Sequence, residues 1–300
     1  MWFKNLSFYR LPANWALDIA KLDEQLALQA LQPCGNLDRE SQGWVSPRGD
    51  DRLAYVLNQQ VLVALGAESK LLPGSIVTQF ANERAAELEE QQGYKLGRKQ
   101  MRELKEQITD ELLPRAFVRR RVTYAWIDPV NGWLVIDSAT PAKAEEVLER
   151  LNKTLDELPA RVMHTEVSPA AAMTEWLLSG EAPNGFSIDR DLELCAVDEE
   201  KATVRYVRHA LEGEEIHQHI AAGKTATRLA LTWNERISFV LTEQLQIKRV
   251  AFLDILKDEG EQGDNADEQF DIDFVLMTGE LAKMLDDVVF ALGGEKEKPV

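Results

Sequence analysis

Positive charge is scarce in this chain. Its 34 Lys and Arg stand against 51 Asp and Glu over 300 residues, a formal net charge of −17. That balance excludes a surface that is basic throughout, so an anionic partner would have to meet a confined basic surface. Cysteine is nearly absent: Cys34 and Cys195 are too few for a disulfide framework, which points to a reducing compartment. No apolar run approaches the roughly 18–20 residues that a membrane span needs. The opening MWFKNLSFYRLP also lacks the apolar core of a signal peptide. The expectation is a cytoplasmic protein with no membrane association. Gly-x-Ser-x-Gly, His-Glu-x-x-His and Cys-x-x-Cys are missing as well, and paired carboxylates discriminate nothing in so acidic a chain. No enzyme is expected.

What is present suits a folded soluble protein: 45% hydrophobic and 28% charged residues. The acid is concentrated late. From Asp254 to the end, 14 Asp and Glu face 4 Lys. Within DEGEQGDNADEQFDID, the spacing of Asp264, Asp267, Asp271 and Asp273 does not fit an EF-hand, and a solvated acidic loop is expected instead.

Periodicity gives the elements. A strand is expected over Trp2–Leu11, a helix over Trp15–Leu31, and two strands, Leu53–Leu57 and Gln60–Leu65, around Asn58-Gln59. Helices follow over Ile76–Gln92 and Arg98–Leu113, broken by Gly93 and Gly97, and they read as a protruding helical hairpin. Phe117–Ile127 and Trp133–Asp137 are strands about Asn131-Gly132, a strong hairpin signal. Ala142–Leu155 and Thr165–Leu178 are helical. Leu192–Val197 and Thr203–Val207 are strand-like, and Glu214–Ala222 is helical. Lys224–Trp233, Ile237–Leu241 and Ile247–Phe252 form a run of strands, and a last helix starts near Leu276 or Thr278. Strands and helices mix without βαβ alternation, so the fold class is α+β with mixed antiparallel sheets. The domain reading is a central region of 1–72 plus 114–165, a helical tip of 73–113, and a second α+β region of 166–300.

Two apparent sites dissolve on inspection. Gly223-Lys224-Thr225 has the ending of a phosphate loop, but Gln218 stands where that motif needs glycine, and a helix precedes it. A helix C-cap glycine is the plainer reading. His209, His217 and His219 lack zinc-ligand spacing. No metal or other cofactor is expected.

The arginines are harder to dismiss. Arg115, Arg119, Arg120 and Arg121 fall within seven residues. On a strand, Arg119 and Arg121 share a face with Phe117, while Arg120 joins Val118 and Val122. Either they pair with nearby carboxylates, or they contact phosphate, which guanidinium suits without any base sequence. Lys224 and Arg228, four residues apart on one strand, would share a face. Arg205 with Arg208, and Lys248 with Arg249, would extend the basic surface if they fold alongside.

The segments WFKNLSFYRL, Leu31-Gln32-Pro33-Cys34-Gly35 and Gly43-Trp44-Val45 resemble the bacterial recombination-associated RdgC family. The likeness continues through LLPRAF, WIDPVNG, Thr174-Glu175-Trp176, AGK, LALTW and MTGEL, colinear over essentially the whole length. The resemblance implies a ring-forming homodimer that binds double-stranded DNA with little sequence preference. Its hole would be positive, its outside acidic, and no nucleotide or metal would be needed. It also implies nucleoid association and restraint of RecA-dependent recombination. By this resemblance Arg115, Arg119, Arg208, Lys224 and Arg228 keep basic positions for DNA contact, and Arg120 and Arg121 add to them. Phe117 would lie at a dimer contact, with His209 opposite, where the family has Gln. The alternative is an acidic protein–protein adaptor without DNA contact, docking through 73–113.

Overall fold

Asn58 and Gln59 both hold left-handed backbone, with φ of 50° and 64°. That geometry gives a two-residue hairpin whose twist matches its strands. It joins β3 (Ala54–Leu57) to β4 (Gln60–Leu71), which runs on past Leu65. The computed structural model describes residues 2–13, 15–254 and 263–296. The class is α+β with antiparallel strand pairing, as the sequence predicts. The chain divides into two compact units: residues 1–19, 55–62 and 124–300 in one, and 20–54 and 63–123 in the other. Strands β4 and β5 (Phe117–Asp128) run through both.

In the first unit the hydrogen-bonded order is β6 (Trp133–Asp137), β1 (Leu6–Arg10), β12 (Ile247–Phe252), β11 (Ile237–Thr242), β10 (Lys224–Trp233), β8 (Phe186–Ala196) and β9 (Thr203–Tyr206). The short β7 (Arg161–Val162) also pairs with β1. Met173 and Leu177 of α5 (Pro169–Ser179) share a buried core with Leu229, Leu231 and Trp233 of β10. Phe274, Met277, Leu281 and Leu285 of α7 (Ala266–Ala291) complete it. The amphipathic α4 (Pro141–Thr154) buries Ala144, Val147 and Leu151, as its spacing predicts. The small α6 (Glu214–Ala221) buries Ile216.

Two expectations change here. The final helix starts well before Leu276. Asn265 accepts the amides of Asp267 and Glu268 at its N-terminus, and those acidic side chains in the first turn favour the helix dipole. Asp267, Asp271 and Asp273 are therefore helical and not part of an acidic loop; residues 258–262 of that stretch lie outside the described residues. The β5–β6 connection is not a two-residue Asn-Gly turn either. Asp128 pairs with Trp133 across a longer loop, and its Oδ1 accepts the amides of Val130 and Asn131. Gly132 alone takes left-handed backbone, with φ 74°.

The second unit explains why the helix expected over Trp15–Leu31 is shorter, with α1 spanning Ile19–Ala27. Past Ala27 the chain turns to serve β2 (Glu40–Val45), a strand the sequence pattern does not reveal. The Leu31 amide donates to the Trp44 carbonyl and the Trp44 amide to the Gln29 carbonyl, both at 2.9 Å. Gly43 lies beneath this crossing, opposite Gly66 on β4. A Cβ at Gly43 would come within 2.4 Å of the Leu31 nitrogen. Helices α2 (Gly74–Gln92) and α3 (Arg98–Leu112) pack through Val77, Ala81, Ala85, Leu104 and Ile108. Gly93 ends the first, and a single 3₁₀ turn over Leu113–Arg115 leads into β5.

Gly43→Ala is expected to destabilise the protein by about 1–3 kcal/mol, because backbone and not a flexible side chain must move. Urea unfolding checks this. A midpoint equal to wild type would show that the crossing relaxes freely.

Candidate functional site

In the second unit, every residue from Phe117 to Val122 on β5 is exposed. Both faces of the strand are open over this stretch, so the expected alternation of side chains does not bury either set. Arg120 is the paired arginine: its Nε donates to Glu68 Oε1 at 2.6 Å. Glu68 is only 4% exposed, while the Arg120 side chain remains 76% exposed. The Cys34 amide also donates to Glu68, at 3.0 Å. That amide first, and then Arg120, hold the Glu68 carboxyl below the usual carboxylate range against its burial. Arg115, in the 3₁₀ turn, and Arg119 and Arg121 have no carboxylate within ion-pair distance among the described residues. Phe117 is 83% exposed beside them, and Val118 and Val122 of the same strand are exposed as well.

The first unit carries a second basic surface on the sheet face away from the core. Its centre is Glu193 on β8, which points outward because Leu192 and Leu194 point in. Arg205 of β9 donates to Glu193 through Nε at 2.9 Å and also through Nη2. Arg228 of β10 lies 3.5 Å from the same carboxylate. Burial opposes ionisation of Glu193, but the Arg205 hydrogen bond and the Arg228 charge outweigh it and hold the carboxyl low.

A bulge sets which cations join this surface. Ala226 pairs with Leu194 and Arg228 with Glu193, so β10 carries one extra residue at that step. The alternation flips there: Ala226 enters the core before it, and Leu229, Leu231 and Trp233 after it. Lys224 therefore has the register of Ala226, on the face opposite Arg228. The expectation that Lys224 and Arg228 share a face is overturned, because their spacing counts a residue that the ladder does not.

Asp191, two residues before Glu193 on the same strand, organises two further arginines. Its Oδ1 accepts the Arg208 amide at 2.9 Å, and its Oδ2 accepts Arg249 Nη1 at 3.0 Å. Both arginines hold left-handed backbone, with φ of 53° and 54°. That conformation is unfavourable for side chains other than glycine and is retained where surroundings over-determine it. Arg205, Arg228, Lys248 and Arg249 line one concavity with Asp191 and Glu193. The cations thus outnumber the carboxylates there. Sequence spacing marks Arg205, Lys248 and Arg249 only as possible neighbours; strand pairing brings them together. His209 does not line this concavity, but its ring lies beside Tyr206, which does, and it is 3.9 Å from Glu215. Among the described residues, no group of three or more His, Cys, Asp and Glu side chains is placed to hold a metal ion. No described helix is long and apolar enough to cross a membrane.

Residues 1–295 match a family model described as "Putative exonuclease, RdgC". A protein of Herminiimonas arsenicoxydans named recombination-associated protein RdgC is 58% identical, covering 99% of this chain and 100% of that protein. One from Janthinobacterium sp. (strain Marseille) is 56% identical over the same shares. One from Dechloromonas aromatica is 57% identical, covering 98% of each chain. Both carry the same name.

Arg205→Ala is expected to raise the Glu193 pKa toward its ordinary value. The wild-type carboxylate contributes stability above the ordinary carboxylate pKa and loses it as pH falls through its lower folded value. Carbon-detected NMR titration of the Glu carboxyls reads this. An unmoved Glu193 would show that Arg205 does not hold it.

Proposed function

The chain belongs to the recombination-associated RdgC family, and we propose that it binds double-stranded DNA through phosphate contacts without sequence preference. One observation carries the reading. In a chain of net charge −17, Arg115, Arg119 and Arg121 cluster without a carboxylate partner among the described residues. Crowded guanidiniums repel one another, and an anionic polymer relieves that repulsion while releasing its counterions. Guanidinium matches phosphate in geometry, and such contacts carry no sequence information.

The outward surface of the first unit extends the proposal. Arg228 and Arg208 act there with Arg205, Lys248 and Arg249. Arg120 contributes through its exposed side chain while Glu68 holds it. Lys224, on the other face of β10, is left out of this surface. The finer reading is a homodimeric ring around the duplex, with Phe117 and His209 at a contact between copies. An exposed phenylalanine beside arginines suits a protein contact better than a phosphate contact. A protein that occupies duplex DNA in this way would restrain RecA-dependent recombination by denying access to it. The family description names an exonuclease; the reading here is of binding, and progressive shortening of an end-labelled duplex under binding conditions would contradict it.

Fluorescence anisotropy on two unrelated duplexes, titrated against salt, tests the proposal. Affinity should be similar for both and should fall linearly in log–log form, with a slope of about −0.9 per phosphate neutralised. Arg119→Glu with Arg121→Glu should weaken binding at least about tenfold and make the slope shallower by about two, with the far-UV circular dichroism unchanged. Lys224→Ala should leave affinity near wild type. A salt-independent affinity, or no binding at low salt, would overturn the reading in favour of a protein–protein adaptor.

A further inference from the structure

Within the second unit, a cavity of about 370 Å³ opens between the end of β4 and the helices α2 and α3. Arg39, Lys70 and Lys105 border it, and no Asp or Glu does. Buried Val77 and Leu113 give it apolar walls, and the Thr109 hydroxyl is turned back onto the Lys105 carbonyl. Three cations around one concavity repel each other, and apolar walls strengthen that repulsion by excluding water.

Two other cations of α3 are neutralised within the helix. On α3, Lys99 faces Glu103 and Arg102 faces Glu106, each four residues on. The next step of that series is Lys105, and the residue four further on is Thr109 in place of an acid. Lys105 and Arg39 have no carboxylate within ion-pair distance among the described residues. Lys70 is held in place by the carbonyls of Gly35 and Asn36, at 2.6 and 2.7 Å, and neither removes its charge. Gly74 at the start of α2 also borders the cavity, with no acidic residue in the helix's first turn. The positive end of that helix adds to the same field.

We propose that this cavity seats a phosphate group. A compact dianion would satisfy Arg39, Lys70 and Lys105 together, with Arg39 able to donate two parallel hydrogen bonds to it. The seat is distinct from the arginines of β5 and from the surface around Glu193. Its phosphate has two chemical sources: the terminal phosphate of a nucleic-acid strand, or a free compound such as inorganic phosphate or a nucleotide.

Isothermal titration of the full chain with inorganic phosphate tests the proposal. Saturable binding at millimolar phosphate is expected. Arg39→Gln and Lys105→Gln should each weaken it at least about tenfold, the loss of one charge-assisted contact. Lys99→Gln, on the same helix but paired with Glu103, should leave it unchanged. Circular dichroism of each variant separates lost binding from lost folding. A short oligonucleotide with a 5′-phosphate, compared with the same oligonucleotide ending in a hydroxyl, identifies the source. A preference for the phosphorylated end assigns the seat to strand termini, and equal affinity alongside phosphate binding assigns it to free phosphate compounds. Absence of saturable phosphate binding in wild type, or binding retained in both the Arg39 and Lys105 variants, would overturn the proposal.

Discussion

Coulomb repulsion among gathered guanidinium groups is the constraint that this structure has to answer. An acidic chain has abundant carboxylates with which to answer it, and it uses them selectively. Glu68, Asp191 and Glu193 are each placed against particular arginines. Each leaves its arginine substantially exposed: the side chains of Arg120, Arg205 and Arg249 remain 76%, 61% and 72% accessible. A carboxylate below and solvent above is an arrangement that orients a guanidinium without consuming it. Arg115, Arg119 and Arg121 lack even that partner among the described residues. Their positive charge is therefore available for a ligand that the chain does not itself contain.

Backbone geometry then decides which cations act together. The bulge on β10 turns Arg228 outward onto Glu193 and puts Lys224 on the other face. Arg208 and Arg249 both hold left-handed backbone, and both meet Asp191, Arg208 through its backbone amide and Arg249 through its guanidinium. These are local deviations from ideal strand geometry, and each costs some stability. They occur on the outward surface of the sheet, while the inward face keeps a regular apolar alternation from Leu229 to Trp233.

Much of this was legible in the sequence, for identifiable reasons. The runs Lys224–Trp233, Ile237–Thr242 and Ile247–Phe252 are short and apolar-rich and read as strands, and left-handed Asn58-Gln59 sits between two apolar runs. The helices α2 and α3 are bounded by Gly93 and Gly97; Gly93 supplies the left-handed backbone that ends α2, while Gly97 precedes α3 in ordinary extended backbone. By contrast, β2 is built from Glu40, Ser41, Gln42 and Gly43, which carry no strand signal; its partners Gly66 and Leu31 come from elsewhere in the chain. The start of α7 was hidden because an Asn-capped acidic turn has the same composition as a solvated loop. For the site, the β5 arginines are adjacent in sequence and so visible. The meeting of Arg205, Arg228, Lys248 and Arg249 depends on strand order and on bulges, which residue spacing does not encode.

The central claim is that unpaired or openly held arginines on named strands meet phosphate. Arginine-selective labelling with phenylglyoxal, read by mass spectrometry with and without a random-sequence duplex, tests it most directly. The account predicts that duplex protects Arg119, Arg121, Arg228 and Arg249. It also predicts that Arg84 and Arg102, which pair with carboxylates on α2 and α3, stay as reactive as before. Equal labelling of the first four with duplex present, or protection confined to Arg84 and Arg102, would contradict it.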